Sequence, residues 1–187
     1  MSGPIDERLL DAVNAIGPTP WSGRSFRYTT ARRDPISGEG ARLHGGRWNP
    51  TDLFPVIYLG IPEAACMGEL EKAAADNHLD VATQLQVPYK LHTIALNEVP
   101  VLDLRVKPSQ LALGLEPDDF SGPWDSCQPI GHAAWFLEFA GVLAPSATGV
   151  GHTIALFEHR THPGQVRVEE SRPLTVDLYR QLARLDP

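Results

Sequence analysis

The chain has 187 residues, 42% of them hydrophobic, so it is long enough for one folded domain and too apolar to be disordered. Its formal net charge of −7 argues against a general positive field for binding duplex nucleic acid or an anionic membrane. The first residues contain acidic side chains and no long apolar run, so we expect a cytoplasmic protein with neither signal peptide nor membrane span.

The first third of the chain predicts a helix, two strands and a long loop between the strands. The apolar pattern indicates a helix over residues 6–15, which ends at a Gly-Pro-Thr-Pro stretch. Strands are expected at 25–30 and 54–60. Residues 31–50 are rich in Gly, Arg and Pro, and loops of that length in a compact domain are usually functional or disordered.

A second helix is expected directly after Pro62, which suits a first helical turn. Residues 89–104 predict one long strand or two short ones, and residues 128–141 predict a helix that ends before Gly141. Cys66 and Cys127 both have apolar neighbours, so we expect buried, reduced thiols. The sequence alone also allows a disulfide between them.

The last third predicts a β-hairpin and a final helix. The stretches HTIALFEHR and QVRVEES flank Thr-His-Pro-Gly, which is typical of a hairpin turn. Residues 175–185 predict a helix with Thr175 as its N-cap. Strands and helices mix without a regular βαβ alternation, so the sequence favours an α+β fold in a single domain over residues 1–187.

Arginines, aromatic rings and a carboxylate recur in four short stretches of the first half. Each such residue has an ordinary structural explanation, as a core ring or a surface charge. Glu69 and Glu71 both border the apolar side of their predicted helix, so periodicity does not decide which faces inward. The candidates are Arg27 and Tyr28 in FRYTT, Arg47 and Trp48 in HGGRWNP, Tyr58 in VIYLG, and Glu69 in CMGELEK.

Together these residue types fit one kind of chemistry. Arginines bind phosphate through two hydrogen bonds, and aromatic rings stack on flat or cationic heterocycles. A carboxylate can stabilise positive charge that develops on a sugar carbon. NAD⁺ has a diphosphate, a cationic ring and a labile glycosidic bond, but a sugar phosphate or another nucleotide fits nearly as well. No spacing of histidines or cysteines suggests a metal site.

The motifs FRYTT, GGRWNP, VIYLG, ACMGELEK, WDSCQPIGHAAWFL and APSATGVG follow one another as in RES-domain proteins, the toxins of bacterial toxin–antitoxin pairs. The chain resembles this family from about Trp21 onward. The resemblance implies a fold similar to ADP-ribosyltransferase toxins, with a split, twisted β core and surrounding helices. It also implies cleavage of the nicotinamide–ribose bond of NAD⁺ by inorganic phosphate, giving nicotinamide and ADP-ribose-1″-phosphate.

The resemblance also assigns roles to individual residues. Arg47 and Arg27 hold the substrate phosphates, or one of them holds the incoming phosphate. Tyr28 and Tyr58 match the family's pocket aromatics and shape the nicotinamide slot, and Glu69 stabilises the cationic sugar. Trp48 is a further candidate for the slot, with anchoring of the loop as the alternative. The family's serine is Ser126, with Ser146 as the alternative. After Ser146 the chain reads ATGVGHTIALFEHRTHPG, which departs from the family pattern and leaves the far wall of the pocket undefined.

A toxin of this kind implies a cognate antitoxin that carries the DNA-binding domain, so this chain would not bind nucleic acid itself. NAD⁺ and phosphate are then substrates, and no cofactor is expected. A homo-oligomer and a hetero-oligomer with the antitoxin both remain open. The alternatives are an NAD⁺ glycohydrolase that uses water, an ADP-ribosyltransferase that modifies a macromolecule, or a catalytically inactive binding partner.

Overall fold

A computed structural model, which describes residues 5–184, shows six strands in one sheet that closes on itself. The strand order is β1-β2-β5-β4-β3-β6, and β1 also pairs with β3. Five strands therefore form a ring, and β6 extends it as an edge strand on β3. The strands are β1 (Thr19–Thr30), β2 (Val56–Ile61), β3 (Tyr89–Asp103), β4 (Gly141–Pro145), β5 (His152–Phe157) and β6 (Val166–Pro173).

The long strand β3 closes the ring because its two edges pair with different strands. Along one edge, residues 89–101 pair with β1. Along the other edge, its first part pairs with β6 and its last residues pair with β4, in the one parallel ladder among the described strands. On the opposite side, β1 meets β2 at the pair Phe26↔Gly60. Arg27 and Tyr28 therefore follow directly on the point where β1 joins β2.

Seven helices surround the closed sheet in the described part of the chain. They are α1 (Glu7–Ile16), α2 (Glu39–His44), α3 (Glu63–Asp76), α4 (Val81–Gln84), α5 (Lys107–Ala112), α6 (Cys127–Phe136) and α7 (Val176–Ala183). The Asp6 carboxylate accepts from the first backbone N–H groups of α1, and the Thr175 hydroxyl accepts from Leu178 N at 3.2 Å. No helix among these is both long and apolar enough to cross a membrane.

Successive side chains along a strand point to opposite faces of the sheet, so one set packs inside the ring and the other packs against the helices. Ile57 and Leu59 of β2 join a cluster made almost entirely of strand residues, which we place inside the closed sheet. Val56 and Tyr58 point the other way, towards a cluster that includes α1 and α6. A third cluster lies between α3, α7 and β3.

The predicted α+β class with surrounding helices is confirmed. The predicted hairpin is wrong: β5 pairs with β2 and β4, whereas β6 pairs with β3. Both edges of β5 are already occupied, so β6 cannot pair with it. Cys66 and Cys127 are free and buried, as expected.

The structure differs from the predicted segments at two helix ends and one loop. The predicted helix 128–141 ends at Phe136, because the chain turns at Glu138, where φ is 65°, to enter β4 at Gly141. The predicted loop 31–50 contains the short helix α2. Leu185, the predicted end of the last helix, lies outside the described residues, as do the ends of the predicted 1–187 domain.

Candidate active site

A cavity of about 530 Å³ opens between β1, β2, α3 and the turn that follows α2. The segments 121–124 and 145–153 complete its walls. Six of the seven predicted site residues line it, and they come from four separate elements. These six are Arg27, Tyr28, Arg47, Trp48, Tyr58 and Glu69.

The turn that carries Arg47 is held by hydrogen bonds to a strand tyrosine. Gly46 and Asn49 form a small bridge, with Gly46 N donating to Asn49 O at 3.0 Å. The Tyr58 hydroxyl accepts from Trp48 N at 2.9 Å and donates to Asn49 Oδ1 at 2.9 Å. A Cβ on Gly46 would overlap that hydroxyl, so glycine is needed there. Tyr58 therefore supports the turn that presents Arg47.

Both arginines are anchored through one nitrogen to two backbone carbonyls. Arg47 Nη1 donates to Asp119 O at 2.7 Å and Gly122 O at 3.0 Å. Arg27 Nη1 donates to Pro35 O at 2.7 Å and Ser37 O at 3.0 Å. Among residues 5–184, no carboxylate forms a salt bridge with either guanidinium. Two positioned, unneutralised cations at one cavity suit an anionic ligand.

Burial also acts on the charge of Arg27. Desolvation, with a smaller contribution from Arg33, lowers the pKa of Arg27 to about 10. That value leaves the guanidinium charged at neutral pH. The protein thus holds a permanent positive charge in a half-buried position, where its attraction for a phosphate is stronger than at an exposed surface.

Glu69 supplies the carboxylate of the cavity. Burial raises the pKa of Glu69, against the charges of Lys72 and Arg47 and a hydrogen bond from Ser146. Glu71, which periodicity alone did not exclude, is exposed and accepts from the Tyr179 hydroxyl instead. The structure therefore places Glu69, and not Glu71, at the cavity.

A hydroxyl pair lies beside Glu69. The Ser146 hydroxyl donates to Glu69 Oε1 at 3.5 Å and lies 2.9 Å from the Thr148 hydroxyl. Gly68 allows this close approach, because a Cβ there would meet Thr148 Oγ1 at 3.0 Å. Neither Ser146 nor Ser126 is among the residues that line the cavity. Ser146 is buried and contacts the cavity residue Glu69, whereas Ser126 is exposed and directly precedes α6.

The aromatic residues differ in what they offer to a ligand. Trp48 is 2% exposed, and its ring packs in the core 6.4 Å from that of Phe120, so it mainly anchors the turn. Tyr28 is half-buried, and its hydroxyl donates to Glu69 O at 3.5 Å. Burial raises the pKa of Tyr28, which keeps the phenol protonated. Trp124, which the sequence did not single out, lines the cavity and is 44% exposed.

The protein family model described as the RES domain matches residues 19–178. The chain belongs to the RES-domain family. Proteins named NAD(+) phosphorylase MbcT from Mycobacterium bovis and Mycobacterium tuberculosis are each 48% identical to it over 183 residues, covering 97% of this chain and 98% of theirs. A crystal structure of the M. tuberculosis MbcT-MbcA toxin–antitoxin complex contains a chain that is 47% identical, with a TM-score of 0.91. The alignment covers 96% of this chain and 99% of that chain.

The family assignment confirms the resemblance found in the motifs. In this RES domain the cavity combines anchored cations with a carboxylate whose ionised form is disfavoured by burial. Such a site can bind a substrate with phosphate groups and stabilise positive charge on the part of the substrate next to Glu69. Within residues 5–184, no group of three His, Cys, Asp or Glu side chains is arranged to hold a metal ion.

Two further residues of the RES domain were missed in the sequence. Lys72 and Asp76 of α3 also line the cavity. The signal was present, because Lys72 lies three residues after Glu69 and residues with this spacing share a helix face. Ser146 could not be ranked above Ser126, since its contact with Glu69 depends on how the segment between β4 and β5 returns over α3.

Proposed function

We propose that this protein is a toxin that degrades NAD⁺ by phosphorolysis, releasing nicotinamide and ADP-ribose-1″-phosphate. The observation that carries the proposal is the meeting of Arg27, Arg47 and Glu69 at one cavity, in a chain 48% identical to proteins named NAD(+) phosphorylase. Two anchored guanidinium groups fit a diphosphate. The carboxylate fits the sugar whose glycosidic bond breaks.

In the proposed reaction, an oxygen of inorganic phosphate forms a bond to C1″ of the nicotinamide riboside as the C–N bond breaks. The bonding electron pair leaves with the pyridinium nitrogen, so nicotinamide departs neutral and needs no proton. Glu69 stabilises the positive charge on the sugar in the transition state. Arg27 and Arg47 bind the diphosphate, and Tyr28 shapes the slot beside Glu69.

The hydroxyl that we assign to this site is Ser146 and not Ser126. Ser146 contacts Glu69 Oε1, and Thr148 N donates to Ser146 Oγ at 3.3 Å, which orients the hydroxyl. Tyr58 and Trp48 support the Arg47 turn in this proposal. NAD⁺ and phosphate are both substrates, and no cofactor takes part.

We further propose that a cognate antitoxin with a DNA-binding domain neutralises the enzyme, by analogy with the toxin–antitoxin complex of the similar solved structure. An enzyme that destroys NAD⁺ must be restrained in its own cell, and NAD⁺ places the activity in the cytoplasm. The net charge of −7 agrees with DNA binding by the partner and not by this chain. We treat residues 1–187 as a single RES domain.

The test is to incubate the purified protein with NAD⁺ in buffers with and without inorganic phosphate and to identify the products by mass spectrometry. We expect NAD⁺ loss to require phosphate and to yield ADP-ribose-1″-phosphate. Free ADP-ribose at equal rates in both buffers would show a glycohydrolase. Label transferred to a macromolecule would show an ADP-ribosyltransferase, and an unchanged NAD⁺ level would show an inactive binding partner.

Arg47→Lys and Glu69→Gln provide the matched variants for this assay. Both variants should remain folded while activity is lost, and Glu69→Gln should be somewhat more stable at pH 7 because it removes a buried charge. If both variants retain wild-type NAD⁺ consumption, the cavity is not the active site.

A further inference from the structure

Three cations line the cavity, and they are held in different ways. Arg27 and Arg47 are each fixed by hydrogen bonds to two backbone carbonyls. Lys72 instead pairs with Asp76, its Nζ 3.0 Å from Asp76 Oδ2. The two side chains are 49% and 65% exposed, so their ion pair is weak and open to exchange with dissolved anions.

The proposed reaction brings three phosphoryl groups to this cavity. Two belong to the NAD⁺ diphosphate, which stays bound through the bond-breaking step. The third arrives separately as inorganic phosphate and leaves as part of the product. Rigid, planar guanidinium groups suit the diphosphate, whereas a flexible ammonium group suits a small ion that must enter and depart in every turnover.

The position of Lys72 also addresses an electrostatic difficulty. A phosphate that attacks the ribose must approach the carboxylate of Glu69, and the two negative charges repel each other. Lys72 follows Glu69 by three residues on α3, a spacing that puts the Cβ atoms about 5–6 Å apart on one helix face. Burial raises the pKa of Glu69, and the charge of Lys72 lowers it, which agrees with the proximity of the two side chains.

We propose that Lys72 binds the inorganic phosphate acceptor, exchanging its ion pair with Asp76 for the phosphate. Lys72 is thereby a specificity residue that favours phosphate over water. The inference rests on the proposed phosphorolysis and adds the site of its second substrate. The phosphate held by Lys72 forms the bond to C1″ as the bond from C1″ to nicotinamide breaks.

The experiment measures steady-state kinetics of Lys72→Met with NAD⁺ and inorganic phosphate varied independently. Loss of one hydrogen bond from a charged group should raise KM for phosphate roughly 10- to 100-fold. KM for NAD⁺ should change by less than about threefold, because the arginines remain. The fraction of product released as free ADP-ribose should rise, and Lys72→Arg should restore most of the phosphate dependence.

Two further variants separate local from general effects. Lys107→Met makes the same change in net charge at an exposed position that does not line the cavity, and it should leave both KM values unchanged. Asp76→Asn releases Lys72 from its ion pair and should lower KM for phosphate.

The outcomes distinguish the two proposals. If the wild-type enzyme requires phosphate and Lys72→Met leaves KM for phosphate unchanged, the inference about Lys72 is wrong and the phosphorylase proposal stands. The same conclusion follows if Lys72→Met raises KM for NAD⁺ as much as KM for phosphate. If the wild-type enzyme consumes NAD⁺ equally well without phosphate, both proposals fail.

Discussion

The role proposed for Glu69 in the reaction has a cost to stability. Burial raises its pKa, so the folded protein binds the carboxyl proton more tightly than the unfolded chain does. Ionisation of Glu69 therefore opposes folding. Its stabilising contribution is complete below the unfolded pKa of about 4.3 and is lost as pH rises through the higher folded value.

We therefore predict that Glu69→Gln lowers kcat by about two to three decades and raises the free energy of unfolding at pH 7. The gain should vanish near pH 4, where the native carboxyl is also neutral. Urea denaturation at both pH values and NAD⁺ turnover measure the two effects. Glu71→Gln is the control for activity, since Glu71 is exposed. A less stable Gln variant at pH 7 would contradict the assigned burial cost.

Ser146 and Ser126 give a second prediction at the scale of single residues. Ser146→Ala removes the hydrogen bond to Glu69 Oε1, so kcat should fall about tenfold. Because that bond favours the ionised carboxylate, its loss should also move the acid limb of the kcat profile to higher pH. Ser126→Ala, at an exposed position, should stay within about threefold of the wild type. The reverse order of effects would identify Ser126 as the functional serine.

At the scale of elements, α6 determines where the Arg47 turn lies. Gln128 Nε2 donates to Gly46 O at 3.0 Å and to Asn49 O at 3.2 Å. Gly131, one turn further on, packs so closely that a Cβ would overlap the carbonyl oxygen of Trp48. The helix and the turn are therefore in backbone contact, and the position of Arg47 depends on that contact.

We predict that Gly131→Ala destabilises the protein by about 1–3 kcal/mol, because overpacking exceeds the gain in helix propensity. It should also lower kcat/KM for NAD⁺, since the displaced turn carries Arg47. Gly114→Ala is the control: its φ is +67° and nothing lies within 4 Å of an added Cβ. That variant should lose about 1–2 kcal/mol through backbone strain while keeping its activity. Equal kinetics for both variants would contradict the proposed link between α6 and the turn.

Local signals predicted individual elements better than their pairing. The cap at Thr175 and the glycine- and proline-bounded apolar runs located α7, β2 and most of β3. Thr-His-Pro-Gly marked the connection between β5 and β6 but not a hairpin reversal, because both strands run antiparallel to the parallel pair β3 and β4. It could not show that β2 and β4 already occupy both edges of β5, which depends on contacts far apart in sequence.

The same limit applies to the candidate site. Arg27, Arg47 and Glu69 were predicted together because the short motifs that carry them resemble, in order, those of the RES-domain family. Ser146 lies 77 residues after its partner Glu69, so no local pattern could rank it against Ser126. Lys72 could have been predicted from its helical spacing to Glu69. It was not, because a lysine on a helix is ordinarily interpreted as a solvated surface charge, whereas Lys72 lines the cavity.

At the scale of the whole molecule, ring closure joins both sides of the cavity. The β1 strand, which carries Arg27 and Tyr28, pairs with both β2 and β3. The β2 strand is linked through β5 to β4, after which Ser146 follows. The strand that carries Arg27 and the strand that precedes Ser146 therefore belong to one hydrogen-bonded ring. A substitution that weakens the ring should therefore affect both the stability of the fold and the geometry of the site, so both should be measured on the same variant.

A pH effect on the whole fold is expected from three histidines. Burial lowers the pKa of His92, His132 and His152. The folded state therefore resists protonation that the unfolded chain accepts. The contribution of the neutral histidines to the free energy of unfolding is complete above the unfolded pKa of about 6.5. It is lost as pH falls from there through the lower pKa of the folded state.

The final prediction is that the free energy of unfolding decreases between pH 7 and pH 5, by up to about 1.4 kcal/mol per pH unit for each proton taken up on unfolding. His92 should account for up to one of these protons. It is 2% exposed, with Nε2 2.9 Å from Thr29 Oγ1 and Nδ1 2.7 Å from Ser171 Oγ, so it links β3 to both β1 and β6. His92→Gln should be less stable at pH 7 but should show a smaller slope, by up to one proton. Urea titrations across this range give the slope directly, and an unchanged slope in the variant would mean that His92 is protonated as readily in the folded protein as in the unfolded chain.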